Sequence, residues 1–381
     1  MTSTTKTMVP AREPRAEHEA EALTIPIGDA EEPPRRDQPG GARALCARLW
    51  ACVTRQVRIL LSLFKPGKDM SVNGRRLKVS RLLAEGGFSF VYLVEHAPTG
   101  DRFALKKVLA AEADQIKATE WEIEVHSAFR HPNVMPLVDH CAVRAPAGVT
   151  EFRLLMPLYG GSLHDRIAAH LDRGTSIPED EALRIFQGVL EGVAQFHGHA
   201  PPWAHRDIKP ANILLAKDGS PVLMDFGSTK EARVAVRSRT EALLVQEDAA
   251  QHCSMAYRAP ELWDPPSDCD IDERTDVWSL GCTLYATAFY FSPFESTIGE
   301  EGLPRVCDCS YLRVIGGLQF PRAPAYSQEF LDLVTWMLTV DQSRRPFVGE
   351  VQERVRELLE SGPRPPATPA PAAGKPATGG A

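Results

Sequence analysis

The chain has 381 residues, an apolar fraction of 43% and a formal charge of −7, which suits one large two-lobed domain or two ordinary ones with a core that needs no disulfide support. With a pI near 5.9 it lacks the Lys and Arg excess on which phosphate-backbone affinity rests, and this excludes general nucleic-acid binding. Its eight cysteines include no Cys-x-x-Cys pair and its first residues contain no apolar signal core, so neither a zinc site nor a disulfide framework is expected and a reducing compartment is the default.

Residues 1–40 are rich in Pro, Glu, Ala and Arg and are expected to be disordered, as is the Pro/Ala-rich tail 361–381. Between the first extension and the folded unit lies a basic segment, 41–66. In it Leu45, Leu49, Cys52, Val53, Leu60, Leu61 and Phe64 share one helical face while Arg48, Arg55 and Arg58 lie toward another. Four arginines between 43 and 58 rule against spanning a bilayer but suit a helix lying in an anionic interface, with Cys46 or Cys52 acylated and the attachment peripheral and reversible. The alternative is a helix packed on the folded domain.

No repeat period is visible, so 72–360 reads as one unit. Leu77 to Lys107 alternates short β-rich runs with turn signals such as Pro98-Thr99-Gly100-Asp101, which predicts three antiparallel strands. Glu112 to Phe129 is helical in pattern, and the runs Val134 to Val143 and Phe152 to Leu158 are expected to complete the sheet. Beyond Gly161 the periodicity is mostly helical, with long helices over Pro178 to Gly198, Arg274 to Phe289, Ser327 to Val340 and Val348 to Leu359. The uncharged run Val277 to Phe294 approaches membrane-spanning length, but Ser279, Ser292 and Pro293 interrupt it and favour a buried helix. The fold class is therefore α+β: a β-rich N-lobe, 72–157, followed by an α-rich C-lobe, 158–360.

Phosphoryl transfer asks a protein for a loop over phosphates, a lysine, metal-binding groups and a carboxylate facing the attacking hydroxyl. The loop is Ala84-Glu85-Gly86-Gly87-Phe88-Ser89-Phe90-Val91, whose glycines let backbone N–H groups approach phosphate oxygens; alone such a hairpin is more often only a turn. Lys106 in Phe103-Ala104-Leu105-Lys106 falls on the third strand, in reach of α- and β-phosphates, with Glu122 on the next helix as its partner. The most specific signal is His205-Arg206-Asp207-Ile208-Lys209-Pro210-Ala211-Asn212-Ile213-Leu214-Leu215 followed by Asp225-Phe226-Gly227. Here Asp207 would accept or orient the substrate hydroxyl, Lys209 would sit against the γ-phosphate, and Asn212 and Asp225 would hold two magnesium ions.

On these residues the segment 77–358 resembles a eukaryotic protein kinase domain. The resemblance implies ATP and Mg2+ as cofactors and proteins bearing Ser or Thr as substrates, since Lys209 two residues past Asp207 and Ser254 three before Tyr257 are serine/threonine-kinase features. It also implies that Ala259-Pro260-Glu261 closes the activation segment with Glu261 buried against Arg345, and that Asp276 braces the catalytic loop. It puts adenine under Val91 and Ala104, over Leu214, and beside Met156 to Tyr159, including Leu158. A pseudokinase, a small-molecule phosphotransferase and a Pro-rich scaffold are the rival classes. Lys106, Asp207 and Asp225 stand against the first; Lys209, Ala259-Pro260-Glu261 and Asp276 against the second. His126, one helical turn after Glu122, departs from the apolar residue usual at that position.

Glu-Gly-Gly-Phe-Ser at 85–89, Pro-Val-Leu-Met-Asp-Phe-Gly-Ser at 221–228 and Ile-Asp-Glu-Arg-Thr-Asp-Val-Trp-Ser-Leu-Gly at 271–281 resemble the Numb-associated kinase family. That resemblance implies membrane trafficking or secretory-pathway work, in the cytoplasm and on Golgi or other endomembrane. Ser238 and Glu241 have capping-box spacing ahead of the helix-forming run Ala242 to Ala250, and the family is similar in carrying a helix before its substrate loop. A lipidated member of the family has glycine after the initiator methionine; this sequence opens Met1-Thr2-Ser3, so N-myristoylation is not expected.

Overall fold

The computed structural model describes residues 69–145, 148–299, 304–321, 324–362 and 364–367; the extension 1–40, the segment 41–66 and its Cys46 and Cys52 lie outside them. The first lobe is a six-stranded antiparallel sheet in the order β1-β2-β3-β4-β6-β5, from β1 (Asp69–Val72), β2 (Arg75–Glu85), β3 (Ser89–His96), β4 (Arg102–Ala110), β5 (Asp139–Arg144) and β6 (Thr150–Pro157). Val72, Leu77, Val94, Leu105 and Leu154 are almost fully buried, as alternation along half-buried strands requires. The sheet begins earlier than expected, because β1 pairs with β2 at Met70↔Leu77. Asn73 at the β1-β2 turn then donates to Asp139 at 2.8 Å and to the His140 carbonyl at 2.9 Å, drawing the sheet's two outer strands together.

The expectation of a strand over Val134 to Val143 holds only from Asp139. Pro136 has no N–H to give a ladder, and the residues before it are engaged elsewhere: Val134 bridges Leu223 in parallel, and Met135 N–H donates to the Leu223 carbonyl at 2.8 Å.

Helix α1 (Ala113–Ala128) crosses behind the sheet, its first turn closed where Gln115 accepts the Ala111 N–H at 2.9 Å. Next come β7 (Gly161–Ser162), α2 (Leu163–Arg173), α3 (Glu179–His197), β8 (Trp203–Ala204), β9 (Ile213–Leu215), β10 (Pro221–Leu223), β11 (Lys230–Glu231), β12 (Val234–Val236), α4 (Arg239–His252), α5 (Pro260–Trp263), β13 (Cys269–Ile271), α6 (Arg274–Phe289), α7 (Tyr311–Ile315), α8 (Gln328–Met337) and α9 (Val348–Glu360). Pro178 stands just before α3 rather than inside its first turn, and its carbonyl accepts the Ala182 N–H at 2.9 Å. Gly188 and Gly192 let α3 press against the strands that carry the site. A Cβ at Gly188 would fall 2.7 Å from Pro221 Cγ, and one at Gly192 2.7 Å from the Asn133 carbonyl oxygen.

Every residue of α6 from Thr275 to Phe289 is buried, so its apolar run is the centre of the helical lobe; among the described residues no helix is long and apolar enough to cross a membrane. Of the tail 361–381, residues 361, 362 and 364–367 are described. Arg364 reaches Glu179 at 2.8 Å and Ala367 N–H donates to the Tyr326 carbonyl at 2.8 Å. A partly buried ion pair, a bond from Arg364 to the Leu358 carbonyl and a backbone bond hold this short stretch, whose composition shows none of them.

Candidate active site

Two segments that are far apart in sequence converge between the lobes, and a third is anchored within the helical lobe. From β4, Lys106 Nζ lies 2.6 Å from Glu122 Oε1 on α1 and 3.6 Å from Asp225 Oδ1. Burial alone would lower the Lys106 ammonium, but the two carboxylates outweigh it and hold its pKa above the ordinary value. Asp225 is the complement: Lys106, then His205 and Lys209, overcome the cost of burial and keep its carboxyl below the ordinary range. Both groups are therefore charged at neutral pH, 3.6 Å apart at the mouth of the cleft.

The second segment is the loop after β8. Asp207 Oδ2 accepts from Lys209 Nζ at 2.8 Å and from Asn212 Nδ2 at 2.9 Å, and its Oδ1 accepts the Ser254 N–H at 3.0 Å. Lys209 also donates to Ser254 Oγ at 2.7 Å, so the catalytic loop and the end of the activation segment share one network. Asp276, fully buried on α6, holds that loop from below: it accepts the His205 N–H at 2.7 Å and the Arg206 N–H at 2.9 Å. Arg206 and Asp225 both sit at positive φ, 70° and 67°, a backbone state that costs roughly 1–3 kcal/mol for a non-glycine residue and persists only where surroundings enforce it. Asp276 enforces the first, and the short helical turn Phe226–Ser228 follows the second.

The third segment ends the activation region. Glu261 forms a two-toothed pair with Arg345 at 2.7 and 3.0 Å. The loop Ala84 to Val91 closes as a tight turn, with Gly86 N–H on the Ser89 carbonyl at 2.8 Å and Phe88 more than half exposed at its tip. Val91 pairs with Lys106 and Ala104 with Met156 across neighbouring strands, which sets Val91, Ala104 and Met156 in adjoining strands, while Leu214 lies on β9 paired with Ser162. Leu158 is 38% exposed beyond the end of β6.

Sequence reading missed two neighbours of this network. Trp121 Nε1–H donates to the Thr229 carbonyl at 2.6 Å, tying α1 to the segment after Asp225, and His197 approaches Asp276 at 3.1 Å. The only available signal was their place beside a motif. A groove of about 1090 Å³ lies elsewhere, lined by Arg166, Arg173, Glu181 and Arg184, and holds none of these groups.

A sheet lobe over a helical lobe, with lysine, paired glutamate and two carboxylate loops at the cleft, defines a protein kinase. The chain belongs to the protein kinase domain family, whose model matches residues 77–355, and it is a serine/threonine protein kinase. It is 38% identical over 293 residues to human serine/threonine-protein kinase 16, covering 77% of this chain and 93% of that one. A probable serine/threonine-protein kinase of Dictyostelium discoideum is 34% identical over 370 residues, 79% of this chain and 99% of the relative. Serine/threonine-protein kinase ENV7 of Saccharomyces cerevisiae is 29% identical over 342 residues, 75% and 93% of the two chains.

Proposed function

We propose that Asp207 is the carboxylate that orients the substrate hydroxyl and takes its proton as the oxygen attacks the γ-phosphorus of ATP, the bond to the β-phosphate oxygen breaks and ADP leaves. The observation that carries this reading is the hydrogen bonding of Asp207. Three donors fix its plane, and Ser254, one of the three, belongs to the loop along which a peptide substrate would lie. Lys209 serves the γ-phosphate, and Lys106, held by Glu122, serves the α- and β-phosphates under the Ala84 to Phe88 loop.

The donor set fits magnesium. Asn212 spends its amide nitrogen on Asp207, on the carbonyl at 2.8 Å and on Oδ2 at 2.9 Å, so its carbonyl oxygen is left for a hard cation, and the charged Asp225 side chain is 43% exposed toward the cleft. When bound, magnesium ions neutralise charge on the phosphate oxygens.

The chain further reads as a member of the Numb-associated branch that is active as made. Helix α4 supports this: Ser238 Oγ accepts the Glu241 N–H at 3.2 Å and Glu241 returns by accepting the Arg237 N–H at 2.6 Å. Asp248 on α4 pairs with Lys230 of β11, a carboxylate where a phosphate could otherwise order the segment. Membrane attachment through 41–66, with Cys46 or Cys52 acylated, and work in trafficking or secretion at Golgi or other endomembrane complete the proposal.

The test is ATP- and magnesium-dependent phosphate incorporation into the protein and a mixed Ser/Thr peptide library. Asp207→Ala should lower transfer by about 10³-fold, within the range for a lost acid–base group, whereas transfer that survives would overturn the assignment. Phosphatase treatment should leave wild-type activity unchanged. A fusion of residues 42–64 that stays diffuse in cells, with or without its cysteines, would remove the membrane reading.

A further inference from the structure

Two large apolar side chains stand further out in solvent than any other among the described residues: Leu312 on α7, at 76%, and Val306, at 68%. Neither belongs to the catalytic network. Val306 ends β15 (Pro304–Val306), which pairs with β14 (Ser296–Ile298) at Ser296↔Val306. Leu312 and Ile315, spaced i, i+3, share a face of α7, and Ile315 is exposed as well. Leu312 also edges a cavity of about 340 Å³ with Pro293, Ser296, Thr297, Arg313 and Gly316, which brings it beside the strand that Val306 pairs with.

The fold hangs this surface from the loop that follows Ser254. Ser292 Oγ donates to the Ala256 carbonyl at 2.6 Å and Ser296 Oγ to the Ser292 carbonyl at 2.9 Å, so two hydrogen bonds join the start of β14 to that loop. Cys309 Sγ lies 3.8 Å from the Met255 carbonyl oxygen. Tyr311, which opens α7, packs near Trp263 with ring centroids 6.3 Å apart, and Trp263 Nε1–H donates to the Arg258 carbonyl at 3.2 Å. Met255 is itself exposed. An apolar surface therefore begins one residue after Ser254, which hydrogen-bonds Asp207 and Lys209, and continues to Val306 and α7. Large apolar side chains left in water carry a cost that a covering partner removes. Whatever covers these lies beside the acceptor site, which singles out the protein substrate as the occupant.

We infer that Met255, Val306, Leu312 and Ile315 select substrates that carry large apolar side chains on one flank of the phosphoacceptor. The inference rests on the reading that Asp207 receives the substrate hydroxyl beside Ser254. It adds a substrate class to that reading: Ser or Thr segments with an apolar flank in place of a charged one.

The experiment gives the full chain a peptide library in which a central Ser or Thr is flanked on both sides by degenerate positions, each fixed in turn as Leu, Lys, Glu or Gly. One flank should favour Leu over Gly by about tenfold, the scale for covering one large apolar side chain. The best peptide is then assayed with Leu312→Ser and with Val306→Ser and Leu312→Ser combined, substitutions at exposed positions that leave the core untouched. KM for that peptide should rise about tenfold, while KM for ATP and turnover of its Gly-flanked counterpart stay at wild-type values. No apolar preference on either flank, a Leu preference that survives both variants, or equal losses on Leu- and Gly-flanked peptides would overturn the assignment. So would a dimer in sedimentation that Leu312→Ser dissolves with peptide KM unchanged, since the face would then belong to a second copy of the chain. Absence of transfer to every peptide by the wild type would fell the underlying reading of Asp207, whereas transfer that ignores the flank would fell this inference alone.

Discussion

Two cation–carboxylate pairs mark the ends of the catalytic apparatus, and they are built for opposite purposes. Lys106–Glu122 and Arg345–Glu261 have nearly the same closest approach, 2.6 and 2.7 Å. Arg345 is fully buried and spends its guanidinium on Glu261 twice, on the Thr339, Arg274 and Val340 carbonyls, and on the Trp278 ring 5.0 Å away. Lys106 is 18% exposed, has one hydrogen-bonded partner and a second carboxylate at 3.6 Å, and so keeps donor capacity for a phosphate. The first pair is over-determined and fixes where the activation segment ends. The second depends on a helix that other contacts must hold in place.

The sharpest way to break this contrast is to remove one partner from the rigid pair. Arg345→Leu leaves Glu261 buried without its cation and should cost about 3–5 kcal/mol of stability, read from urea or thermal unfolding; a loss under 1 kcal/mol would mean that the pair is not the anchor it looks. Asp276 is the second fixed carboxylate. Burial would push its carboxyl up, but the His197 hydrogen bond and charge, then His205 and the Arg206 N–H, outweigh it and leave the pKa below its ordinary 3.8. A depressed carboxylate contributes stability that is present above about pH 4 and lost as pH falls through the folded value. Asp276→Asn should cost about 2–3 kcal/mol at neutral pH, the scale of lost charge-assisted hydrogen bonds, and should flatten the acid limb of stability below pH 4. An unchanged acid limb would assign that limb to other groups. On the adjustable side, Glu122→Gln keeps a polar group beside Lys106 and leaves Asp225 at 3.6 Å to balance the ammonium, so it should cost about 1–2 kcal/mol, less than Arg345→Leu, yet raise KM for ATP about tenfold, or roughly 1.4 kcal/mol. Equal damage to stability from Glu122→Gln and Arg345→Leu would erase the distinction.

The fixed half was the more legible in sequence. Asp207 to Asn212 and Asp225 to Gly227 are contiguous runs whose spacing states their chemistry, and α6 emerged with the expected ends, Arg274–Phe289, because a long run without charge, interrupted only by small polar residues, belongs in a core. The adjustable half depends on partners that sequence does not put side by side. Trp121 meets Thr229 across 108 positions, and His126 reads as a misplaced polar residue until the Met135 carbonyl is seen above it. Likewise, β1 is four residues long and shows no pattern until β2 lies beside it. Arg364 sits among prolines, and its partners Glu179 and the Leu358 carbonyl are 185 and 6 positions away. Local propensity predicts neither, since both stretches are too short to order without a partner.

The smallest effect tests whether the activation segment belongs with the fixed side or the adjustable one. Helix α4 starts at Ser238, whose Oγ satisfies the Glu241 N–H, and it carries few buried side chains, Ala242 and Ala249 among them. A helix with so little core contact relies on its cap and on polar ties, Lys230–Asp248, Gln246 on the Trp263 carbonyl at 2.6 Å and Ser228 on the His252 carbonyl, so Ser238→Ala should cost about 1 kcal/mol locally. Global unfolding should barely register that loss, while hydrogen exchange across 239–252 should quicken about fivefold and peptide phosphorylation should fall two- to threefold with KM for ATP unchanged. This pattern would place α4 with the adjustable elements, acting through Ser254 on the peptide rather than through Lys106 on the nucleotide. A rise in KM for ATP would instead connect it to α1, through Ser228, whose hydroxyl donates to the His252 carbonyl at 2.8 Å, three residues from Asp225.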